Sequence, residues 1–303
     1  VIVSVENLTH RYGSRTALNG LSFEVAEGSV FGLLGPNGGG KSTLFRILAT
    51  MMSPTEGRVS VAGYDVDRDP DEVRRHIGVV FQTQSLDKKL TVEENLRAQG
   101  HLYGLRGGNL TARVDNALTR LSLTERRGDI VDTLSGGLRR RVEIAKALLH
   151  HPRVLLMDEP STGLDPGARR ELADHIAELR DTEGVTVLIT THILDEADRC
   201  DRLLLLHEGR KVAEGSPAEL KARVGGLVVA LEVNDPDVMT RQIQEKFGVT
   251  PQVVGETLRL EIENGHRFVT EVVEAFPGAI QSVAFHKPTL EDVFLDETGA
   301  TIS

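Results

Sequence analysis

The chain has 303 residues, room for one large domain or two, and its 40% hydrophobic and 26% charged content is that of a globular chain able to bury a full core. Its formal charge of −10 disfavours a general nucleic-acid binder, because neutralising phosphates takes clustered Lys and Arg. The single cysteine, Cys200, excludes an internal disulfide and suits a reducing cytosol. Val1 to Tyr12 alternates apolar and polar residues and lacks the apolar core of a signal peptide. No apolar run approaches the ~20 residues that span a bilayer, so any membrane role is expected to pass through a partner subunit.

In chain order, Val1, Val3 and Val5 alternate with polar residues, as do Leu21, Phe23 and Val25. They predict half-exposed antiparallel strands around a turn near Asn19-Gly20. Val30, Phe31, Leu33 and Leu34 predict a buried strand. Gly35-Pro36-Asn37-Gly38-Gly39-Gly40-Lys41-Ser42-Thr43 follows and fits the phosphate-loop pattern G-x-x-x-x-G-K-[ST]. Leu44, Ile47, Leu48 and Met51 then recur at helical spacing. Glycine has no Cβ, so such a loop can wrap a phosphate with its N–H groups turned inward. The following helix N-terminus adds a partial positive charge. Lys41 is expected on the β- and γ-phosphates and Ser42 on Mg²⁺.

Gly57 to Val61 and Ile77 to Phe81 predict further strands, with a short charged helix from Asp69 to His76. From about Leu90 to His150 strand signals vanish. Thr91 caps a helix with Glu94 at the capping-box position, Thr111 to Leu121 is amphipathic, and Gly136 to Leu149 is a third helical stretch. A helical lobe, about residues 84–150, is thus expected inside an α/β chain.

Val154 to Met157 restarts the strands. Asp165-Pro166 is an N-cap followed by proline and opens a helix to about Arg180. Val185 to Thr190, a short helix from Asp195 to Cys200, and Arg202 to Leu206 complete a mainly parallel sheet. After Pro217 the register changes: Lys221 to Gly226 reads as a helix end or linker, and strand, helix, hairpin, helix, strand follow, the ferredoxin-like β-α-β-β-α-β order, with a final helix over Leu290 to Leu295. Two domains are expected, residues 1–220 and 227–303.

The strand from Val154 ends in Asp158-Glu159. In a phosphate-loop fold the first acid helps hold Mg²⁺, and the second can orient or deprotonate an attacking water. Leu134-Ser135-Gly136-Gly137 opens an amphipathic helix and offers a second anion-binding N-terminus.

Together these stretches resemble the ATP-binding cassette ATPases, the motor subunits of membrane transporters, over residues 4 to about 216. Gly35 to Thr43 resembles the Walker A loop and Val154 to Glu159 resembles Walker B, so the resemblance implies Glu159 as the catalytic carboxylate. Leu134 to Gly137 is similar to the family signature, which implies that Ser135, Gly136 and Gly137 contact the γ-phosphate of ATP held by the other protomer of a homodimer. Phe81-Gln82 resembles the Q-loop; the motif points to Gln82 rather than Gln84, on Mg²⁺ and reporting to the helical lobe. Thr162 to Asp165 resembles the D-loop, Thr191-His192 the switch in which His192 senses the γ-phosphate, and Tyr12 the aromatic that stacks on adenine.

Leu138 stands where the family often has Gln, and Gly39 where it often has a small side chain such as Ala. The first removes a side-chain hydrogen bond near the nucleotide; the second is expected to loosen the loop slightly. Arg139, Arg140 and Arg141 are expected on a solvated helix face, with Arg141 the candidate for burial against acids of the lobe. The tail from Thr289 to Leu295, with Thr298-Gly299, resembles drug exporters of the daunorubicin-resistance type. The resemblance implies ATP and Mg²⁺ as ligands, a separate membrane permease, no nucleic acid, and a place at the cytoplasmic face of the cell membrane. A non-transport cassette acting on ribosomes or DNA is the alternative; such proteins usually carry two cassettes or a long coiled-coil insertion, and neither is visible. A nucleotide-binding regulator without turnover is a third class, which Glu159 and His192 argue against.

Overall fold

The computed structural model describes residues 1–302. β1 (Val3–Tyr12) and β2 (Arg15–Val25) pair antiparallel with Tyr12 opposite Arg15, so the hairpin turns at Gly13-Ser14. The turn expected at Asn19-Gly20 lies inside β2 instead. Leu8 pairs Leu21 but His10 pairs Leu18, so β2 carries an extra residue there, and Gly20 takes φ 64°. Asn-Gly supports positive φ in a turn and in a bulge alike, which is why the dipeptide alone misplaces the turn.

β3 (Val30–Leu34) is buried throughout and leads through the glycine loop into α1 (Lys41–Leu48). Leu44, Phe45, Ile47 and Leu48 of α1 are fully buried, each worth roughly 1.5–3 kcal/mol, and this anchors the loop from its C-terminal side. β4 (Glu56–Val61) pairs with the other edge of β1, and β5 (Tyr64–Asp65) closes an antiparallel sheet of order β2-β1-β4-β5. α2 (Pro70–His76) and β6 (Ile77–Val80) follow.

The lobe is helical as expected. α3 (Val92–Leu102) opens on the Thr91–Glu94 capping box. α4 (Gly107–Arg120) starts earlier than expected, across two glycines that carry no periodicity, and α5 (Gly136–Leu148) is capped by Ser135. β7 (Val154–Asp158), α6 (Pro166–Glu183), β8 (Thr186–Thr191), the short α7 (Leu194–Ala197), β9 (Arg202–His207) and β10 (Arg210–Gly215) complete the larger unit. The second sheet runs β10-β9-β3-β8-β7-β6, all parallel except the edge strand β10. β10 has no counterpart in the sequence reading, because its charged residues leave little alternation to detect.

The chain divides into two compact units between Pro217 and Ala218, within α8 (Pro217–Lys221). The Val224-Gly225-Gly226 stretch therefore belongs to the smaller unit, where Val224 is buried. That unit holds β11 (Leu227–Val233), α9 (Pro236–Phe247), β12 (Gln252–Val254), β13 (Thr257–Ile262), α10 (Gly265–Ala275), β14 (Ile280–His286) and α11 (Leu290–Thr298). Its antiparallel sheet has the order β12-β13-β11-β14, the ferredoxin-like arrangement. Val229, Leu231, Leu258 and Leu260 pack with Ile243, Phe268 and Val272. Arg259 points to the opposite face by strand alternation, and its Nε donates to Asp292 Oδ1 of α11 at 3.1 Å.

Candidate nucleotide site

The phosphate loop is shaped by close backbone approaches. A Cβ on Gly35 would stand 2.1 Å from the Leu206 carbonyl oxygen, and Gly40, at φ 106°, would put one 2.8 Å from the Ala17 carbonyl oxygen. At Gly39 a methyl would meet the Pro36 and Leu206 carbonyl oxygens at 3.1 and 3.2 Å. The glycine there is held on both sides: its N–H donates to Pro36 O at 3.2 Å and its carbonyl accepts from Gly209 N at 3.0 Å. An alanine would need those neighbours to give way.

Lys41 is buried at the start of α1, and its Nζ donates to Gly35 O at 2.6 Å and Pro36 O at 3.1 Å. Burial lowers its pKa, opposed chiefly by Glu159, whose Oε1 lies 3.7 Å away. Tyr12, Pro36, Asn37, Gly38, Gly40, Ser42, Thr43 and Glu159 line one cleft with Lys41. Tyr12 presents its ring at the rim, 44% exposed, with its hydroxyl 3.3 Å from Met52 Sδ and 3.5 Å from Thr43 Oγ1. Arg15 also lines this cleft. The sequence carries no signal for it, because the hairpin register that sets Arg15 directly across from Tyr12 emerges only with the fold.

Glu159 gathers the remaining groups. Gln82 Nε2 donates to its Oε2 at 3.0 Å, Thr162 Oγ1 donates to the same oxygen at 3.4 Å, and His192 Nδ1 stands 3.3 Å from Oε1. Lys41, Gln82, Glu159 and His192 follow β3, β6, β7 and β8, so parallel pairing brings them to the carboxyl ends of one run of strands. Ligands of open α/β sheets bind at that edge. Glu159 itself takes φ 45°, and its N–H donates to the Thr190 carbonyl at 3.0 Å.

Asp158 is buried and accepts from Thr190 Oγ1 at 2.5 Å. Burial raises its pKa, with the Thr190 bond opposing. The Asp158 carboxylate, the Ser42 hydroxyl and the Gln82 amide oxygen are hard donors that fit Mg²⁺, which takes its remaining positions from phosphate and water.

The other expected site residues, Ser135, Gly136, Gly137 and Asp165, stand at the starts of helices. Ser135 caps α5 by accepting from Leu138 N at 3.3 Å, and Asp165 caps α6 by accepting from the N–H groups of Gly167 and Ala168, both at 3.0 Å. The fully buried arginine of α5 is Arg140, at 3% exposure; Arg141 is part-buried, its side chain 16% exposed, and pairs with Glu171 of α6 rather than an acid of the lobe. Position along the helix decides: Arg140 shares a face with Glu143 and meets it at 2.8 Å.

The fold and the cleft are those of a phosphate-loop nucleotide-binding cassette. The protein-family model described as ABC transporter matches residues 18–162. The chain is 39% identical to the daunorubicin resistance ATP-binding protein DrrA3 of Streptomyces coeruleorubidus, over 98% of this chain and 96% of that one. It is 38% identical to the Nod factor export ATP-binding protein I of Ralstonia nicotianae, over 98% of this chain and 94% of that one. Among solved structures it is similar to cbiO1 of Clostridium perfringens, part of the transporter complex cbiONQ, with TM-score 0.69 and 30% identity over 82% of this chain and 96% of that one. It is also similar to the dimeric post-hydrolysis state of the cassette MJ0796 bound to ADP and Pi, with TM-score 0.63 and 29% identity over 71% of this chain and 98% of that one. The chain belongs to the ABC transporter family of ATP-binding proteins.

Proposed function

We propose that the chain is the ATP-hydrolysing motor subunit of an exporter and drives a separate membrane permease. The observation that carries this is the convergence of Lys41, Gln82 and His192 on the buried carboxylate of Glu159. Lys41 leaves the Gly35 and Pro36 carbonyls to meet the β- and γ-phosphates, and Tyr12 stacks on the purine. Ser42, Asp158 and Gln82 would hold Mg²⁺, which would neutralise phosphate charge. With Lys41 engaged by phosphate, Glu159 is free to accept a proton from water aimed at the γ-phosphorus, and His192 orients that phosphate.

Ser135, Gly136 and Gly137 complete the site of a second copy, so ATP closes a homodimer and product release reopens it. The dimeric form of the similar cassette bound to ADP and Pi supports this reading. The permease partner is supported by cbiO1, which is part of a transporter complex. None of the helices among the described residues is long and apolar enough to cross a membrane. In this reading the chain meets its permease peripherally, at the cytoplasmic face. The export direction is supported by relatives named for daunorubicin resistance and Nod factor export. Residues 227–303 do no chemistry in this reading and tune the dimer.

The test is co-expression with the permease subunit in membrane vesicles, scored on a panel of candidate compounds. ATP-dependent accumulation is expected with the native chain and none with Lys41→Ala. Equal accumulation with Lys41→Ala contradicts the motor assignment.

A further inference from the structure

We infer that Arg140 and Glu143 make α5 a lever that ties ATP in the partner's site to the placement of Gln82 in this chain's own site. The inference rests on the homodimer reading above. Arg140 Nη1 donates to Phe81 O at 2.7 Å, and its Nη2 donates to Gln82 O at 3.2 Å. Glu143 Oε1 accepts from Ser85 N at 2.6 Å, and Lys146 Nζ donates to Ser85 O at 2.9 Å and Oγ at 3.1 Å. Positions 140, 143 and 146 recur at helical spacing, so one face of α5 grips the loop by its backbone. That loop carries Gln82, whose amide donates to Glu159 at 3.0 Å.

The other end of α5 is Ser135-Gly136-Gly137, about 7 Å from Arg140 along the axis at 1.5 Å per residue. Val142, Ile144 and Ala145 are fully buried, so the helix moves as a body with its packing. The Arg140 and Glu143 side chains are 4% and 3% exposed. A guanidinium that deep cannot shed its partners without stranding a charge, so loop and helix shift together. When the helix N-terminus closes on the partner's γ-phosphate, the pull reaches Gln82 and through it Glu159. Arg140 is a positioning residue; it touches neither nucleotide nor reacting atoms.

The test uses the full chain and steady-state hydrolysis against MgATP concentration, with ATP affinity and thermal unfolding measured beside it. Arg140→Met/Glu143→Leu removes both charges, so that neither is left buried alone. ATP affinity is expected to stay within about twofold, while the Hill coefficient falls from about two to about one and kcat drops about tenfold or more. Arg140→Lys keeps the charge and is expected to restore part of the cooperativity. A folded double variant with unchanged Hill coefficient and kcat overturns the inference, as does one whose ATP affinity and kcat fall together. Should the double variant fail to fold, Arg140→Lys decides: an unchanged Hill coefficient at an unchanged unfolding midpoint overturns the lever. Failure of the homodimer reading is seen separately, as ATP that leaves Glu159→Gln monomeric in light scattering.

Discussion

Glu159 holds a left-handed backbone conformation, φ 45°, that costs a non-glycine residue about 1–2 kcal/mol. Strain of this kind persists only where neighbours fix it, and here the Thr190 carbonyl and hydroxyl oxygens both take the Glu159 N–H, each at 3.0 Å. The result aims the carboxylate at Lys41, Gln82 and His192 together. Binding in this cleft should rest on the triphosphate more than on the base, because a stacked Tyr12 accepts any purine. GTP is therefore expected to compete with ATP in a fluorescent-nucleotide titration. Tyr12→Ala should weaken both about two- to tenfold, and Lys41→Ala about tenfold to hundredfold or more, as loss of a charge-assisted contact. Strict rejection of GTP would mean base-specific hydrogen bonds that the cleft residues do not explain. The loop, Asp158, Glu159 and His192 were legible in the sequence because each sits at the end of an apolar strand, a local pattern. Arg140 was not: three arginines in a row look alike until the helix is packed, and only then does one of them face Glu143 and the loop.

At the scale of elements, the segment after α5 is fixed to the core sheet by His150. Its ring stacks on Tyr103 at 3.9 Å with planes 5° apart, and its Nε2–H donates to Ile77 O at 2.9 Å. The bond to a carbonyl assigns the neutral tautomer with Nδ1 bare, and that nitrogen is buried without a partner. Burial accordingly lowers the His150 pKa from its ordinary 6.5. Below pH about 6.5 the unfolded chain takes this proton before the folded one does, so stability falls as pH falls from there toward the folded pKa. Urea unfolding from pH 7 to pH 5 should show a shallower loss of stability in His150→Phe than in the native chain, with stability at pH 7 lower by about 1 kcal/mol for the lost hydrogen bond. Parallel pH profiles would contradict the assignment. Helix starts were the most legible elements, since the Thr91–Glu94 box and the Asp165-Pro166 pair announce themselves within four residues. The first hairpin was not, because its register depends on a bulge, and β10 was not, because its charged residues leave little alternation to detect.

At the scale of the molecule, two compact units divide the work in the proposed reading. The larger carries every nucleotide motif; the smaller is a four-stranded antiparallel sheet with its own apolar core around Val229, Leu231 and Phe268. The ferredoxin-like order was legible because strand, helix and hairpin signals alternate cleanly, and the change of register after Pro217 falls where the two units divide, within α8. In the proposed homodimer each larger unit supplies half of each site, so hydrolysis should require two copies and the Glu159 carboxylate of each site. The most direct measurement is ATP turnover by the full chain with Glu159→Gln, read together with its mass in solution. The substitution keeps the shape and hydrogen bonding of residue 159 and removes its charge. ATP should still bind, turnover should fall about 100-fold or more, and the chain should accumulate as a dimer in ATP. Turnover near the native rate, from a variant that binds ATP and stays monomeric, would contradict the account.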